Sequence, residues 1–136
     1  MNVGKAIYNI LSNDAPVAAL LTESGKVKVF PVLMPERYSY PVAVYSVVSN
    51  TPHGTKTGVS RFDQVRVQID CYGRVYEDTG ELAQAVRAAL DRKAPGTYGG
   101  ITVKGISYVS TNMALEEDDN VFRISEDYQI IIDVFA

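Results

Sequence analysis

Apolar residues at Val3, Ala6, Ile7, Ile10 and Leu11 recur at helical spacing, with Asn2 placed to cap and Ser12-Asn13 to stop. The chain is therefore expected to open with an amphipathic helix. Asp14 then offers a second cap, Pro16 falls in the first turn, and Val17, Leu20 and Leu21 form the apolar face of a short second helix ending at Ser24-Gly25. From Lys26 the period changes to two. Val27 and Val29 alternate with Lys26 and Lys28, and Pro31 limits the run, so the spacing predicts a short strand whose lysines mark an exposed edge. Val42 to Ser49 is a β-rich run long enough for a central strand, ended by Asn50-Thr51-Pro52-His53-Gly54. The clearest strand is Val65 to Tyr72: Val65, Val67, Ile69 and Cys71 share one face, and Arg66, Gln68, Asp70 and Tyr72 the other. The polar connection from Asn50 to about Ser60 predicts a hairpin with a long tip.

Asp78 or Thr79 is placed to cap a third helix with Glu81 in its first turn and a stripe of Leu82, Val86, Ala89 and Leu90. Arg92-Lys93 complement its dipole and Pro95-Gly96 terminates it. Two β segments follow, Ile101 to Val109 and Phe122 to Phe135, separated by a loop from Ser110 to Asn120. In the last strand Phe122, Ile124, Tyr128, Ile130, Ile132 and Val134 share a face that only Glu126 interrupts. A β-bulge near Ser125 to Asp127 is expected to turn that carboxylate outward. The order α, α, β, β, β, α, β, β, with hairpin-like links, predicts an α+β fold: a mainly antiparallel sheet with helices packed on one face.

The 136 residues suit one domain, and 46% apolar with 21% charged residues is ordinary for a soluble globular chain. A net charge of -3 gives no broad basic field for phosphate backbones, so sequence-specific nucleic-acid binding is not expected. No apolar run suits a membrane span and the N-terminus lacks a signal pattern, so a soluble protein made in a cytoplasm is expected, with no membrane partner. Cys71, the only cysteine, excludes an internal disulfide and a multi-cysteine zinc site.

Candidate chemistry is sparse. His53, the sole histidine, lies in a Pro-His-Gly turn without a nearby nucleophile or carboxylate pattern and reads as a loop histidine. Gly54-Thr55-Lys56-Thr57-Gly58 lacks the glycine before lysine, the earlier glycine and the following helix of a phosphate loop. Cys71 reads as a small buried hydrophobe. The run Glu116, Glu117, Asp118 and Asp119 lacks the alternating ligands and central glycine of a calcium loop, and reads as a solvated loop. In a ring it would line a lumen or meet the next subunit. No catalytic residue, cofactor or metal site is expected. Nine tyrosines leave room for an interface, Tyr72, Tyr38 and Tyr40 first among them.

The chain resembles a known family, the small tail-completion or head-tail joining proteins of siphophages and related prophages. The likeness rests on the opening Ala6-Ile7-Tyr8-Asn9-Ile10-Leu11 helix, the Asp14-Ala15-Pro16-Val17 turn with Leu20-Leu21, and the Tyr40-Pro41-Val42-Ala43-Val44-Tyr45 strand. It continues through Arg66 to Tyr72, the helix from Glu81 to Leu90, and the closing Asp127-Tyr128-Gln129-Ile130 strand. The resemblance implies a non-enzymatic tail terminator, commonly a hexameric ring, that halts tail-tube polymerisation and joins the tail tube protein to the head connector protein. It further implies assembly in the bacterial host cytoplasm and residence in the virion tail. The alternatives are a neck or head-tail connector adaptor and a small-molecule-binding domain or enzyme using Arg66, Asp70 and Tyr72. Ring contacts would be heterologous. The candidate interface residues are Lys26 and Lys28 on the edge, Tyr38, Tyr40 and Tyr72, His53 and Lys56 in the hairpin tip, and Glu116, Glu117, Asp118 and Asp119. The tip is expected to reach an adjacent ring or subunit.

Overall fold

In a computed structural model, residues 3–33, 38–52, 61–116 and 120–135 are described. The amphipathic pattern at the N-terminus becomes α1 (Val3–Ser12), and all five residues of its expected apolar stripe are buried. Asp14 caps α2 (Ala15–Leu21) by accepting a hydrogen bond from the Val17 amide at 3.3 Å, with Pro16 in the first turn. Ser24 and Gly25, both at positive φ, turn the chain between two-residue strands β1 (Thr22–Glu23) and β2 (Lys26–Val27). These pair only with each other, and β3 (Val29–Pro31) follows.

The main sheet contains β3, β4 (Val42–Pro52), β5 (Phe62–Gly73), β6 (Gly96–Tyr98), β7 (Ile101–Glu116) and β8 (Val121–Asp133), in the spatial order β3-β4-β5-β8-β7-β6. Only β3 and β4 are parallel; all other neighbours are antiparallel. The fold is α+β, as the sequence predicts. The third helix, α3 (Tyr76–Leu90), joins α1 and α2 on one face of the sheet.

That face holds the core. Val65, Val67, Ile69 and Cys71 of β5 are fully buried, and they meet Ile124, Tyr128, Ile130 and Ile132 of β8 beneath Ile7, Leu11, Leu82, Val86 and Leu90. Each fully buried aliphatic side chain contributes about 1.5–3 kcal/mol relative to exposure. A smaller cluster on the opposite face packs Phe30, Val42 and Val44 against Tyr38, Tyr40 and Tyr72.

Several expectations change. The third helix begins earlier than expected: Val75 is its N-cap without a side-chain cap, and Thr79 lies inside the first turn, donating to the Val75 carbonyl at 2.8 Å. It ends at Leu90 rather than at Pro95-Gly96, because Arg92 adopts a positive φ of 60° and donates its amide to the Ile106 carbonyl. The expected loop from Ser110 is largely strand, since β7 continues to Glu116 in register with β8. Along the partners of β8 the bulges lie in β7, between Val103 and Gly105 and between Tyr108 and Ser110, whereas β8 pairs with β5 without interruption. Glu126 therefore points into the core and is 4% exposed.

Candidate assembly surfaces

The face of the sheet away from the helices is built by the polar half of the strand alternation. Register aligns Arg66 with Gln129 and Ser107, Gln68 with Asp127 and Ser110, and Asp70 with Ser125 and Asn112. Side chains stitch the rows together. Arg66 Nη1 lies 3.4 Å from Asp127 Oδ2, Gln68 Nε2 donates to Asp70 Oδ1 at 2.8 Å, and Ser125 Oγ donates to the same oxygen at 2.5 Å. At one end, Arg74 stacks on the Tyr40 ring and Tyr40 leans on Tyr72. Two of these bonds tie β5 to β8 across the polar face, which suits it to contact.

The helix-covered face carries an unusual buried group. Burial pushes the Glu126 carboxyl up to about 7, opposed by the hydrogen bond donated from the Tyr128 hydroxyl at 2.8 Å and by the charge of Arg87. The Arg87 guanidinium lies 3.6 Å from the centroid of the Tyr108 ring, which meets Tyr128 edge-on. Nearby Cys71 is fully buried, and burial raises its thiol well above the usual range. It is a core residue and a poor nucleophile. Among the described residues no group of three His, Cys, Asp or Glu is arranged to hold a metal ion.

Two stretches of sheet edge lack strand partners among the described residues. Strand β3 covers β4 only at Ala43 to Tyr45, and the Val32 amide adds one bond to the Tyr45 carbonyl. Beyond it, Val47 to Pro52 is exposed. At the other side of the sheet β6 covers β7 only at Ile101 to Val103, while Asp91 and Arg92 bond to Tyr108 and Ile106. From Ser110 onward the outer edge of β7 has no such partner. Both open stretches carry exposed apolar side chains: Val47 and Val48 on β4, Met113 and Leu115 on β7. Met113 and Leu115 line an apolar groove with Tyr76 and Phe122, beyond the start of α3.

The residues expected at an interface separate into three groups. Lys28 was expected on an exposed edge, but its side chain is buried, its Nζ 3.1 Å from Glu23 Oε1 and 2.8 Å from the Ser39 carbonyl. The strand breaks at Lys28 between β2 and β3, which turns it inward against the segment leading to β4. Lys26 stays partly exposed, over the Tyr8 and Phe30 rings. Tyr38, Tyr40 and Tyr72 come together, yet they do so as one half-buried cluster within the chain. His53, Lys56, Glu117, Asp118 and Asp119 lie outside the described residues, as does the side chain of Glu116. The open edges of β4 and β7 were missed in the sequence, because edge status depends on strand order, which no local pattern carries.

The tail completion protein gp17 family matches residues 5–133. The chain belongs to that family. It is a structural tail-completion protein, a component of a phage-type virion tail. Among solved structures, a chain from the virion of a native gene transfer agent particle is similar, with a TM-score of 0.72 and 20% identity. The match covers 94% of this chain and 92% of that one. At that identity the likeness establishes the fold. No curated protein matches. For a tail-completion protein, the absorbed roles of Lys28 and of the tyrosine cluster move attention from single side chains to the edges of the sheet.

Proposed function

We propose that this gp17-family protein is a tail terminator: a non-enzymatic subunit, one domain across its 136 residues, that closes into a ring at the end of the tail tube. The ring, a hexamer in this reading, halts addition of tube subunits and presents a surface to the head connector. Assembly takes place in the bacterial host cytoplasm. The observation that carries this reading is the family match across residues 5–133. The fold shared with a chain of a gene transfer agent virion supports it, since that particle is itself an assembly. On the polar face of the sheet, Gln68 and Ser125 both bond to Asp70, a bonded surface of the kind a subunit contact uses.

Adding the purified protein to polymerising tail-tube subunits and imaging by electron microscopy tests the reading. Tubes of bounded length with a capped end are expected. Bare ends and unlimited growth at saturating protein would overturn it.

A further inference from the structure

The two open edges are on opposite sides of one sheet. The four long strands run in alternating directions, β4 against β5, β5 against β8 and β8 against β7. An even number of alternating strands has a geometric consequence. When a second copy is related to the first by a rotation that carries the sheet onward, its β4 arrives beside β7 of the first copy running antiparallel to it. The helix faces of the two copies then lie on the same side. Resting on the ring-forming reading above, we infer that neighbouring subunits join edge to edge, Ser110–Glu116 of β7 pairing with Val47–Pro52 of β4 in the next copy.

Three observations favour a second copy as the occupant. The first is hydrogen bonding. The bonds from Arg92 and Asp91 to Ile106 and Tyr108 identify those residues as outward-facing on β7. Alternation, shifted once by the bulge before Ser110, then directs the backbone groups of Thr111, Met113 and Leu115 outward. On β4, the Ala43 and Tyr45 bonds to the β3 side and the bulge between Val47 and Ser49 place Asn50 outward in the same way. Each edge thus offers donors and acceptors to the other, save that Pro52, outward like Asn50, brings a carbonyl without an N–H.

The second is the matching of faces. Val47 is paired with Val67 and Met113 with Ile124, so both exposed apolar side chains lie on the helix side of the sheet. Edge-to-edge extension brings them together on one continuous apolar surface, next to the groove of Tyr76 and Phe122.

The third is the offset between the edges. Following the register across the sheet, Ser49 aligns through Arg66 and Gln129 with Ser107, about six residues from Met113 at the middle of the open part of β7. At about 3.3 Å per residue that is a shift of about 20 Å along the strands for each four-strand width of about 19 Å. The corresponding strand tilt is about 45°, at the upper end of the range of about 35–45° by which sheets close on themselves. The short strands reinforce the shift. By covering the start of β4 and the start of β7, β3 and β6 obstruct the unshifted register and leave the staggered one open.

The test uses the full chain. Oxidation of the Asn50→Cys, Met113→Cys double variant should give a covalent ladder on non-reducing gels, with neither single variant cross-linking. Met113→Pro removes the outward amide at a position where an edge strand tolerates proline. It should leave the circular dichroism spectrum and melting temperature of the monomer nearly unchanged and weaken assembly at least tenfold by light scattering, whereas Met113→Ala weakens it less. If the wild type assembles while the double cysteine variant gives no ladder, another surface joins the subunits; the edge pairing is overturned and the ring reading stands. Cross-linking of Met113→Cys to itself would mean a two-fold contact and overturn it equally. If the wild type stays monomeric at every concentration and on tail ends, the ring reading fails, and this inference with it.

Discussion

The Tyr128 hydroxyl donates to Glu126 Oε1 at 2.8 Å, two residues back on the same strand and within the core. Both side chains occupy the helix face because β8 has no bulge to turn either of them away. Glu126 is 4% exposed, and burial raises its carboxyl to about 7 while Tyr128 is pushed far above its ordinary value. The pair is thus most comfortable with Glu126 neutral.

Stability should therefore fall as pH rises. A group whose folded pKa exceeds its unfolded value binds its proton more tightly in the folded chain, so its contribution is full below about pH 4.5 and is lost as pH climbs through about 7. The loss is on the order of 2–3 kcal/mol. Glu126→Gln keeps an acceptor for Tyr128 and removes the titration. Urea unfolding at pH 5 and pH 8 should show the wild type losing stability between the two and the variant nearly level. An unchanged slope in the variant would contradict the assignment.

Lys28 holds three pieces together, since its ammonium reaches Glu23 on β1 and the Ser39 carbonyl before β4, while Ser39 also donates to Glu23. The hydrogen bonds from Ser39 and Lys28 hold the Glu23 carboxyl below its ordinary value, so this cluster contributes stability above the carboxylate range that is lost as pH falls through it. Lys28→Ala should destabilise the chain by about 1–3 kcal/mol, because it removes a buried side chain together with its hydrogen bonds to Glu23 and Ser39. Lys26→Ala, at the partly exposed lysine two residues earlier, should cost less, within about 0.5–1 kcal/mol. Equal effects in thermal melts would be inconsistent with the burial described.

Gly99 has φ of +58°, and a Cβ built there would lie 2.5 Å from the Lys5 carbonyl oxygen. The turn between β6 and β7 rests directly on α1. Gly99→Ala should cost about 2 kcal/mol or more from strain and displacement together. Gly100→Ala, at φ of +82° with open space around it, should cost only the backbone term, about 1 kcal/mol. Denaturation midpoints of the two variants compare these directly.

The Asp14 cap is a local test of the second helix. Asp14→Ala removes the acceptor for the Val17 amide and should cost about 1 kcal/mol, with Asp14→Asn recovering most of it. A loss above 3 kcal/mol would mean that Asp14 does something other than cap.

Where the periodicity was strong, the sequence was a good guide to the fold. The stripe of α1, the Asp14 cap, the alternation of β5 and the apolar face of α3 all appear where those patterns place them. The misses share a cause: tertiary partners outweighed local signals. Thr79 has the chemistry of a cap, but the helix starts ahead of it and its hydroxyl bonds backward to Val75. Residues 110–116 read as a polar loop because only one edge of that strand has a partner and its sequence is not apolar; register with β8 makes it strand. Glu126 breaks an apolar series, and the economical expectation was to turn it out. Tyr128, from within the same series, supplies the hydrogen bond that lets it stay in. For the candidate site, residue type alone suggested lysines and tyrosines. Their partners within the chain account for Lys28 and for the cluster around Tyr72, and strand order, invisible to any local window, exposes the edges.

The uninterrupted pairing of β5 with β8 also ranks the molecule in time. From Phe62 to Gly73 each β5 residue has a partner on β8, and β4 and β7 flank the pair along most of that length. Opening those amides requires parting the centre of the sheet, whereas the outer halves of β4 and β7 open by fraying. In deuterium exchange the two central strands should be the last to fill and the outer halves the first, so that slowing confined to those two outer segments would report a subunit taking its place beside another.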